Sequence, residues 1–134
     1  MLKQLSIYAE NKKGALQAMT NALYEAGINI WGSVTNDGAE YGINRMVVSD
    51  PDKAKEVLTE KGYLCRFVDV LAVEIEDKPG ALNTLLTALL DSNVNVDYTC
   101  LSFNRDSSTP VMILHTADPE EVEICLRAKG FKMV

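Results

Sequence analysis

Residues 5–30, LSIYAENKKGALQAMTNALYEAGINI, decide the fold because the chain repeats them as residues 71–96, LAVEIEDKPGALNTLLTALLDSNVNV. At this offset of 66, nine of the 26 aligned positions are identical, and most of the others keep their chemical character. A second block, which begins at Asp50 and again at Asp118, matches at an offset of 68. The 134-residue chain therefore contains two copies of one unit, which we divide into domains of residues 1–68 and 69–134.

Each copy carries the same order of secondary-structure signals. In the first copy, apolar residues alternate over residues 5–9 as in a strand, and then recur at helical spacing over residues 15–26. The Asn-Asp-Gly sequence at residues 36–38 predicts a hairpin turn between two further strands. Asp-Pro at residues 50–51 predicts the start of a second helix, and residues 63–68 are a last strand.

This order of strand, helix, strand, strand, helix and strand is the ferredoxin-like split βαββαβ arrangement, an antiparallel sheet with both helices on one face. The second copy repeats it, with a longer hairpin loop at residues 104–110 that accounts for the change of offset. We expect one or two residues between the copies. The predicted fold is α+β, with the two units paired into a larger antiparallel sheet that has helices on one face.

Composition and charge argue against several classes of function. A net charge of -6 repels nucleic-acid phosphates, and an aromatic content of 7% gives no surface for stacking bases. No apolar run approaches the roughly 18 residues of a membrane span, and the N-terminus lacks a signal-peptide pattern. The three scattered cysteines are predicted to be small buried apolar side chains rather than a disulfide framework, and the single histidine, His115, is predicted to have a structural role rather than to bind a metal. We predict a cytoplasmic protein without a cofactor, a nucleic-acid partner or a membrane partner.

Both copies retain the turn into their first helix, ENKKGAL at residues 10–16 and EDKPGAL at residues 76–82. The start of a helix directs free backbone N–H groups outward, which suits a carboxylate, and a glycine in the turn lets a ligand approach the backbone. An asparagine follows in the next strand, Asn29 or Asn95. We expect this strand to lie beside the end of the first strand that leads into the helix, so that its carboxamide and the turn together suit the head group of an amino acid. The glycines and asparagines also have a purely structural interpretation, as turn and cap residues.

The turn motif, an amphipathic helix and the following [IV]-N-[IV] resemble the ACT domain, a small ligand-binding regulatory module of amino-acid metabolism. The resemblance covers essentially the whole chain as two ACT units. It implies the split fold, pairing of domains side by side into an eight-stranded sheet, and binding of amino acids at a domain interface. It implies binding rather than catalysis.

The resemblance also assigns the residues that would contact a ligand. The first copy has Lys13 where the family usually has proline, and the second has Asp77 in place of an asparagine, which would repel the carboxylate of an effector. The first copy is therefore the better candidate. The ten ligand-binding positions are Glu10, Asn11, Lys12, Gly14, Asn29, Glu76, Asp77, Lys78, Gly80 and Asn95.

We predict a stand-alone pair of ACT-like domains that senses an amino acid and modulates a partner enzyme of amino-acid metabolism, as a homodimer. No residue is assigned a catalytic role. The alternative function is a structural oligomerisation module that recruits an enzyme without binding a ligand. A third hypothesis, an enzyme that uses Glu76, Asp77 and Lys78 as acid and base groups, lacks a second catalytic cluster.

Overall fold

The computed structural model describes residues 1–36 and 41–134, with Tyr41 described by its backbone alone. The chain forms two compact units, Lys3–Val68 and Asp69–Val134, the second of which includes Met1–Leu2. That residues 1–68 and 69–134 are separate domains stays a prediction. The elements in chain order are β1 (Leu2–Glu10), α1 (Ala15–Glu25), β2 (Ile30–Asn36), β3 (Tyr41–Val48), α2 (Pro51–Glu60), β4 (Leu64–Glu74), α3 (Ala81–Asp91), β5 (Tyr98–Phe103), β6 (Pro110–His115), α4 (Pro119–Ala128) and β7 (Lys132–Met133).

The first unit has the strand order β2-β3-β1-β4, with β1 and β2 both antiparallel to β3. Alternate residues of a strand share one face of the sheet, so Leu5 and Ile7 of β1 point the same way. Both helices pack on that face, because the buried core of the unit joins strand residues to one stripe of each helix. This core comprises Leu5, Ile7, Met19, Ala22, Leu23, Ile28, Met46, Val48, Ala54, Leu58 and Cys65.

The second unit repeats this arrangement with the strand order β7-β4-β6-β5, and its described pairings are all antiparallel. Its helices α3 and α4 again contribute one stripe each to a single core. That core comprises Leu71, Val73, Leu85, Leu89, Met112, Leu114, Val122 and Leu126. The predicted fold class is therefore confirmed, since the split βαββαβ unit occurs twice with its helices on one face of its sheet.

The predicted gap of one or two residues between the copies is wrong. Strand β4 runs from Leu64 to Glu74 without a break, so it serves as the last strand of the first copy and the first strand of the second. The run Val68-Asp69-Val70-Leu71 favours extended backbone, because two of its four residues are β-branched valines. In the described part of the chain seven strands thus take the place of the eight that two complete copies imply.

Several local sequence signals are confirmed. The Asp50 side chain accepts a hydrogen bond of 3.1 Å from the backbone N–H of Lys53 and so caps α2. The long hairpin loop lies between Phe103 and Pro110, as predicted. Asp37 and Gly38 of the first predicted hairpin turn lie outside the described residues. None of the described helices combines the length and the apolar composition that a bilayer crossing requires.

The cysteine prediction is correct for two of the three residues. Cys65 and Cys100 are buried, whereas Cys125 is partly exposed on α4. The Cys125 thiol donates to the Ser92 hydroxyl at 3.1 Å. Cys125 therefore has a polar neighbour, which the sequence did not predict.

Candidate functional site

The turns that lead into α1 and α3 have the same backbone geometry. In each turn the lysine N–H donates to the glutamate carbonyl, at 3.1 Å from Lys12 to Glu10 and at 3.0 Å from Lys78 to Glu76. The first N–H of each helix then donates to the same lysine's carbonyl. The hydrogen bonds are the same although the first turn carries Lys13 where the second carries proline, so the substitution has not altered the turn.

A glycine is required at the start of both helices. Gly14 has φ of 84° and Gly80 has φ of 87°, in the left-handed region that residues with a Cβ atom disfavour. Neither glycine is in close contact, because a Cβ added to either would meet no atom within 4 Å. Neither helix has a side-chain hydrogen bond at its N-terminal cap, so apart from the first N–H, which donates to the lysine carbonyl, no capping side chain competes with an anionic ligand for the N–H groups of the first turn.

Each turn also carries an ion pair between its glutamate and its lysine. Lys12 Nζ lies 2.8 Å from Glu10 Oε2, and Lys78 forms the equivalent contact with Glu76. The hydrogen bond from Lys12 lowers the pKa of the Glu10 carboxyl, and the same bond raises the pKa of the Lys12 ammonium. Glu10 therefore stays ionised and Lys12 protonated across the neutral pH range. All four side chains are exposed.

A pocket of about 200 Å³ opens beside the first turn. It lies between the beginning of α1 and the sheet of its own unit, so every wall comes from one compact body. Its volume is smaller than the roughly 300–1,000 Å³ of sites for drug-sized ligands and suits a small metabolite. The lining residues are Ala9, Glu10, Asn11, Lys12, Ala15, Leu16, Met19, Thr35, Asn36, Gly42 and Asn44.

The polar end of this pocket is built on Asn44, a buried residue of β3 with 2% of its surface exposed. Its Nδ2 donates to Thr35 Oγ1 at 2.6 Å, and its Oδ1 accepts from Ser33 Oγ at 3.4 Å. A carboxamide offers two N–H donors and two acceptor positions. Asn44 therefore has hydrogen-bonding capacity beyond these two contacts, in a pocket whose other walls are mostly apolar.

Small residues make the space for this pocket. Ala9 of β1 pairs with Gly42 of β3, and Ile7 pairs with Asn44. Gly42 is a glycine because the neighbouring strand approaches closely, since a Cβ there would lie 2.7 Å from the carbonyl oxygen of Asn36. The turn, the helix and the three strands β1, β2 and β3 consequently meet around an opening that no large side chain fills.

Larger apolar residues occupy the equivalent positions of the second unit. Met112 pairs with Val73 as Asn44 pairs with Ile7, and the Ile75 N–H donates to the carbonyl of Pro110 at 3.0 Å. Ile75 and Pro110 thus stand where the first unit has Ala9 and Gly42. Met112 belongs to the core of the second unit and has 7% of its surface exposed.

The pocket described at the second turn has a different character. It measures about 350 Å³ and is lined by Glu74, Ile75, Glu76, Thr109, Gly130, Phe131 and Lys132. Its Glu74 carboxylate lies 3.1 Å from Lys132 Nζ, and that hydrogen bond lowers the pKa of Glu74. Of the predicted residues of this turn, Glu76 lines the pocket, whereas Asp77, Lys78 and Gly80 do not.

The expectation that Asn29 lies beside the turn of its own unit is wrong. Strands β1 and β2 are parallel, since both are antiparallel to β3, so β2 begins at the end of the sheet far from the turn. Glu10 pairs with Tyr41 and Ile30 pairs with Val48, seven residues along β3. At 3.3 Å per residue this separation is about 20 Å.

Asn29 and Asn95 instead stabilise the starts of their strands. The backbone N–H of Asn29 donates to Ser49 Oγ at 2.9 Å, and Asn95 Nδ2 donates to Asp97 Oδ1 at 3.1 Å. Asn95 precedes Tyr98, which pairs with His115 at the opposite end of β6 from Pro110. Neither asparagine therefore shares a pocket with the turn of its own unit.

Four residues that line the first pocket were not predicted from the sequence, namely Ala9, Thr35, Gly42 and Asn44. A signal for Asn44 was present, because an amide there interrupts the alternation that ends in Met46 and Val48. Comparison of the copies would have strengthened it, since position 44 aligns with Met112 at the offset of 68. Among residues 1–36 and 41–134, no group of three or more acidic, histidine or cysteine side chains is arranged to hold a metal ion.

Comparisons with known proteins identify relatives of the whole chain. The model of the family described as "ACT domain pair" matches residues 1–133. We found no match among curated proteins. The crystal structure of protein BT0572 from Bacteroides thetaiotaomicron is similar with a TM-score of 0.91 and 29% identity, and the alignment covers 99% of this chain and 91% of that one.

Two regulatory subunits of aspartate kinase have the same fold at lower identity. The ligand-free subunit from Thermus thermophilus matches with a TM-score of 0.66 and 16% identity, over 94% of this chain and 89% of that one. The subunit from Thermus flavus matches with a TM-score of 0.62 and 20% identity, over 96% of this chain and 91% of that one.

Proposed function

The chain belongs to the ACT domain pair family, and from that premise we propose that it is a regulatory protein that senses an amino acid through its first unit. The pocket of about 200 Å³ beside the first turn carries this proposal. It joins a helix N-terminus, an ionised glutamate and a buried carboxamide within one compact unit. These are the groups that a small zwitterion with a short side chain requires.

The chemistry of the walls suggests how the ligand is oriented. The open N–H groups at the start of α1 and the Lys12 ammonium favour the carboxylate of the effector. Glu10 and the carbonyl oxygens of the turn favour its ammonium group. The side chain then lies against Ala9, Ala15 and Met19, and a polar tip reaches Asn44. The volume favours an amino acid with a short side chain over an aromatic one.

The second turn is the weaker ligand site of the two. Glu76, Asp77, Lys78 and Gly80 reproduce the turn, but Asp77 adds a negative charge where the effector brings its carboxylate. Asn29 and Asn95 are far from the turns of their own units, so we propose that they contact an effector only across an interface with a second copy of the chain. A homodimer is part of this proposal.

Regulation then follows from differential affinity. A ligand that binds one arrangement of the dimer more tightly than another shifts the population toward it, and a cytoplasmic enzyme of amino-acid metabolism that binds the same arrangement responds. Regulatory subunits of aspartate kinase have this fold, which makes an enzyme partner reasonable for a chain that we assign no catalytic role.

The experiment is a thermal-unfolding screen of the purified protein against each of the twenty amino acids at millimolar concentration. A ligand at a hundred times its dissociation constant stabilises the folded state by about 2.7 kcal/mol, which raises the midpoint by roughly several degrees. The site variant is Thr35→Leu. Leucine is the residue that the second unit has at the aligned position, Leu101. The matched control is Leu101→Thr, the reverse change at that aligned position.

We expect a shift with one or a few small amino acids, lost in Thr35→Leu and kept in Leu101→Thr. A shift that survives Thr35→Leu would remove the ligand from this pocket. If no amino acid raises the midpoint, the protein is better explained as an oligomerisation module. Leu82, Leu86 and Leu90 would then be the surface to investigate, because they form an exposed stripe on α3.

A further inference from the structure

A second pocket, of about 440 Å³, lies in the second unit between the end of α3 and the beginning of α4. It lies at the opposite end of its unit from the turn at Glu76–Gly80, and the proposed amino-acid site uses none of its lining residues. Three carboxylates line it and no lysine or arginine does. The lining residues are Ser92, Asn93, Val94, Asn95, Asp97, Thr116, Ala117, Asp118, Glu121, Val122 and Cys125.

The equivalent location in the first unit holds a positively charged side chain. There, Lys53 extends from α2 to the C-terminal cap of α1, and its ammonium group donates to the carbonyl of Ala26 at 2.9 Å. The C-terminal end of a helix carries partial negative charge, so a cation stabilises it. The first unit therefore supplies an ammonium group to this end of its helix from its own sequence.

The second unit has the same helix end but has lost the cation. Ser92 is the C-terminal cap of α3, as Ala26 is of α1. The residue that aligns with Lys53 at the offset of 68 is Glu121. In the described part of the chain, no side chain donates to the Ser92 carbonyl in the way that Lys53 donates to Ala26. A negative charge thus stands near a helix end that favours a positive one.

The carboxylates of this pocket differ in whether they already have hydrogen-bond partners. Asp50 caps α2 through its side chain, whereas the aligned Asp118 makes no side-chain cap on α4. Among residues 1–36 and 41–134, neither Asp118 nor Glu121 has a hydrogen-bond or ion-pair partner for its carboxylate. Asp97 is held by Asn95 and by His115, whose Nδ1 lies 2.8 Å from Asp97 Oδ2. Two free carboxylates and one fixed carboxylate consequently share one opening.

An independent feature of the same wall also indicates a missing hydrogen-bond donor. Thr116 lines the pocket and has 2% of its surface exposed, and its Oγ1 is buried without a hydrogen-bond partner among the described residues. A buried hydroxyl without a partner is unfavourable. An N–H donor that enters the pocket would satisfy its lone pairs. A metal ion is not suggested, since no group of metal-ligating side chains is found in the described ranges.

We propose that this pocket binds the primary ammonium group of a small organic amine, in the place that Lys53 fills in the first unit. The ammonium group contacts the Ser92 carbonyl and the carboxylates of Asp118 and Glu121, and its N–H groups supply the missing donors. The ligand carries no carboxylate close to the amine, because the three acidic side chains would repel it. The pocket therefore selects an alkylamine or a diamine over an α-amino acid.

The test is an NMR titration of the ¹⁵N-labelled full-length protein with 1,4-diaminobutane at constant ionic strength. We expect saturable shifts of the amide signals of residues 92–97 and 116–121, and little change at the turns. The variant Glu121→Lys puts back the ammonium group of the first unit and should weaken binding by roughly tenfold or more, because one carboxylate is lost and the pocket is filled. The matched control is Glu120→Lys, which changes the net charge equally on the same helical turn but outside the pocket.

A second probe separates a specific site from general attraction to an acidic surface. Tetramethylammonium has a positive charge but no N–H group, and we expect it to bind at least several-fold more weakly than 1,4-diaminobutane. Equal binding of the two cations, or unchanged binding in Glu121→Lys, would overturn the proposal. So would the absence of saturable shifts at these residues. The amino-acid screen of the first unit is unaffected by any of these outcomes.

Discussion

In the first unit Ala9, Gly42 and Asn44 leave a pocket beside the turn, whereas in the second unit Ile75, Pro110 and Met112 stand at the equivalent positions. The two turns have the same backbone hydrogen bonds and the same ion pair. Conservation of the turn therefore does not by itself make a ligand site. What distinguishes the units is the size and polarity of the side chains on the strands behind the turn.

The reverse difference is found at the other end of the units. There the first unit fills the space with Lys53, and the second unit leaves it open next to Glu121. The two copies thus differ at both ends: the first has the small pocket with the buried carboxamide beside its turn, and the second has the acidic pocket at the end of α3. Such divergence lets two copies of one fold serve different ligands while their cores remain alike.

The largest effect that we expect comes from matched core truncations. Met46 and Leu114 are equivalent positions with 1% and 0% of their surface exposed, and replacement of either by alanine should cost about 3 kcal/mol. Because each unit has only about 67 residues and both use β4, we expect one unfolding transition that either variant lowers by roughly 10 °C. Calorimetry measures this, and two separate transitions would show that the units fold independently.

The next effect tests the strand residues behind the turns. Met112→Asn buries a carboxamide in the second unit. The neighbouring strand has Leu101 there, where the first unit has Thr35, so the new amide lacks the hydroxyl partner that Asn44 has. The expected loss of stability is about 2 kcal/mol, measured by urea unfolding. Adding Leu101→Thr should recover part of that loss. If Met112→Asn is as stable as the wild type, the polarity of this position does not distinguish the units.

A smaller effect is expected at the glycines of the turns. Gly14→Ala and Gly80→Ala should each cost roughly 1 kcal/mol, because both backbones have positive φ and neither site is crowded. The two losses in urea unfolding should be similar, since the turns are alike. Effector binding should suffer in Gly14→Ala alone. Equal effects of both variants on binding would mean that both turns hold the ligand.

The smallest effect concerns the Glu10–Lys12 ion pair, whose side chains are 69% and 68% exposed. The pKa of Glu10 is lowered below its ordinary value of 4.5 by the hydrogen bond from Lys12. The stabilisation is therefore fully present above pH 4.5 and disappears as pH falls through the lower folded value. Glu10→Gln should remove this small dependence, which paired unfolding curves at pH 7 and pH 3 would detect.

The repeat and its glycines were sufficient to predict the split fold, the four helices and the cap at Asp50. The position of Asn29 was not predicted correctly, because distance along the sequence does not tell which end of a sheet a strand starts from. The split connection makes β2 parallel to β1, and that rule would have placed Asn29 far from the turn. The pocket was not predicted, because it depends on how Ala9 of β1 lies relative to Gly42 and Asn44 of β3. That register depends on the length of the hairpin before β3, which the sequence does not determine.

The assignment of the ligand site to the first pocket is tested most directly by a calorimetric titration with the effector that the screen identifies. The titration compares the wild-type protein with the double variant Ala9→Ile, Asn44→Met. These two changes give the first unit the side chains of the second and should leave the fold intact, because Ile75 and Met112 fit the same backbone. We predict one ligand per chain for the wild type and no measurable binding for the variant. Two ligands per chain, or binding retained in a folded double variant, would contradict the assignment of the site to the first pocket.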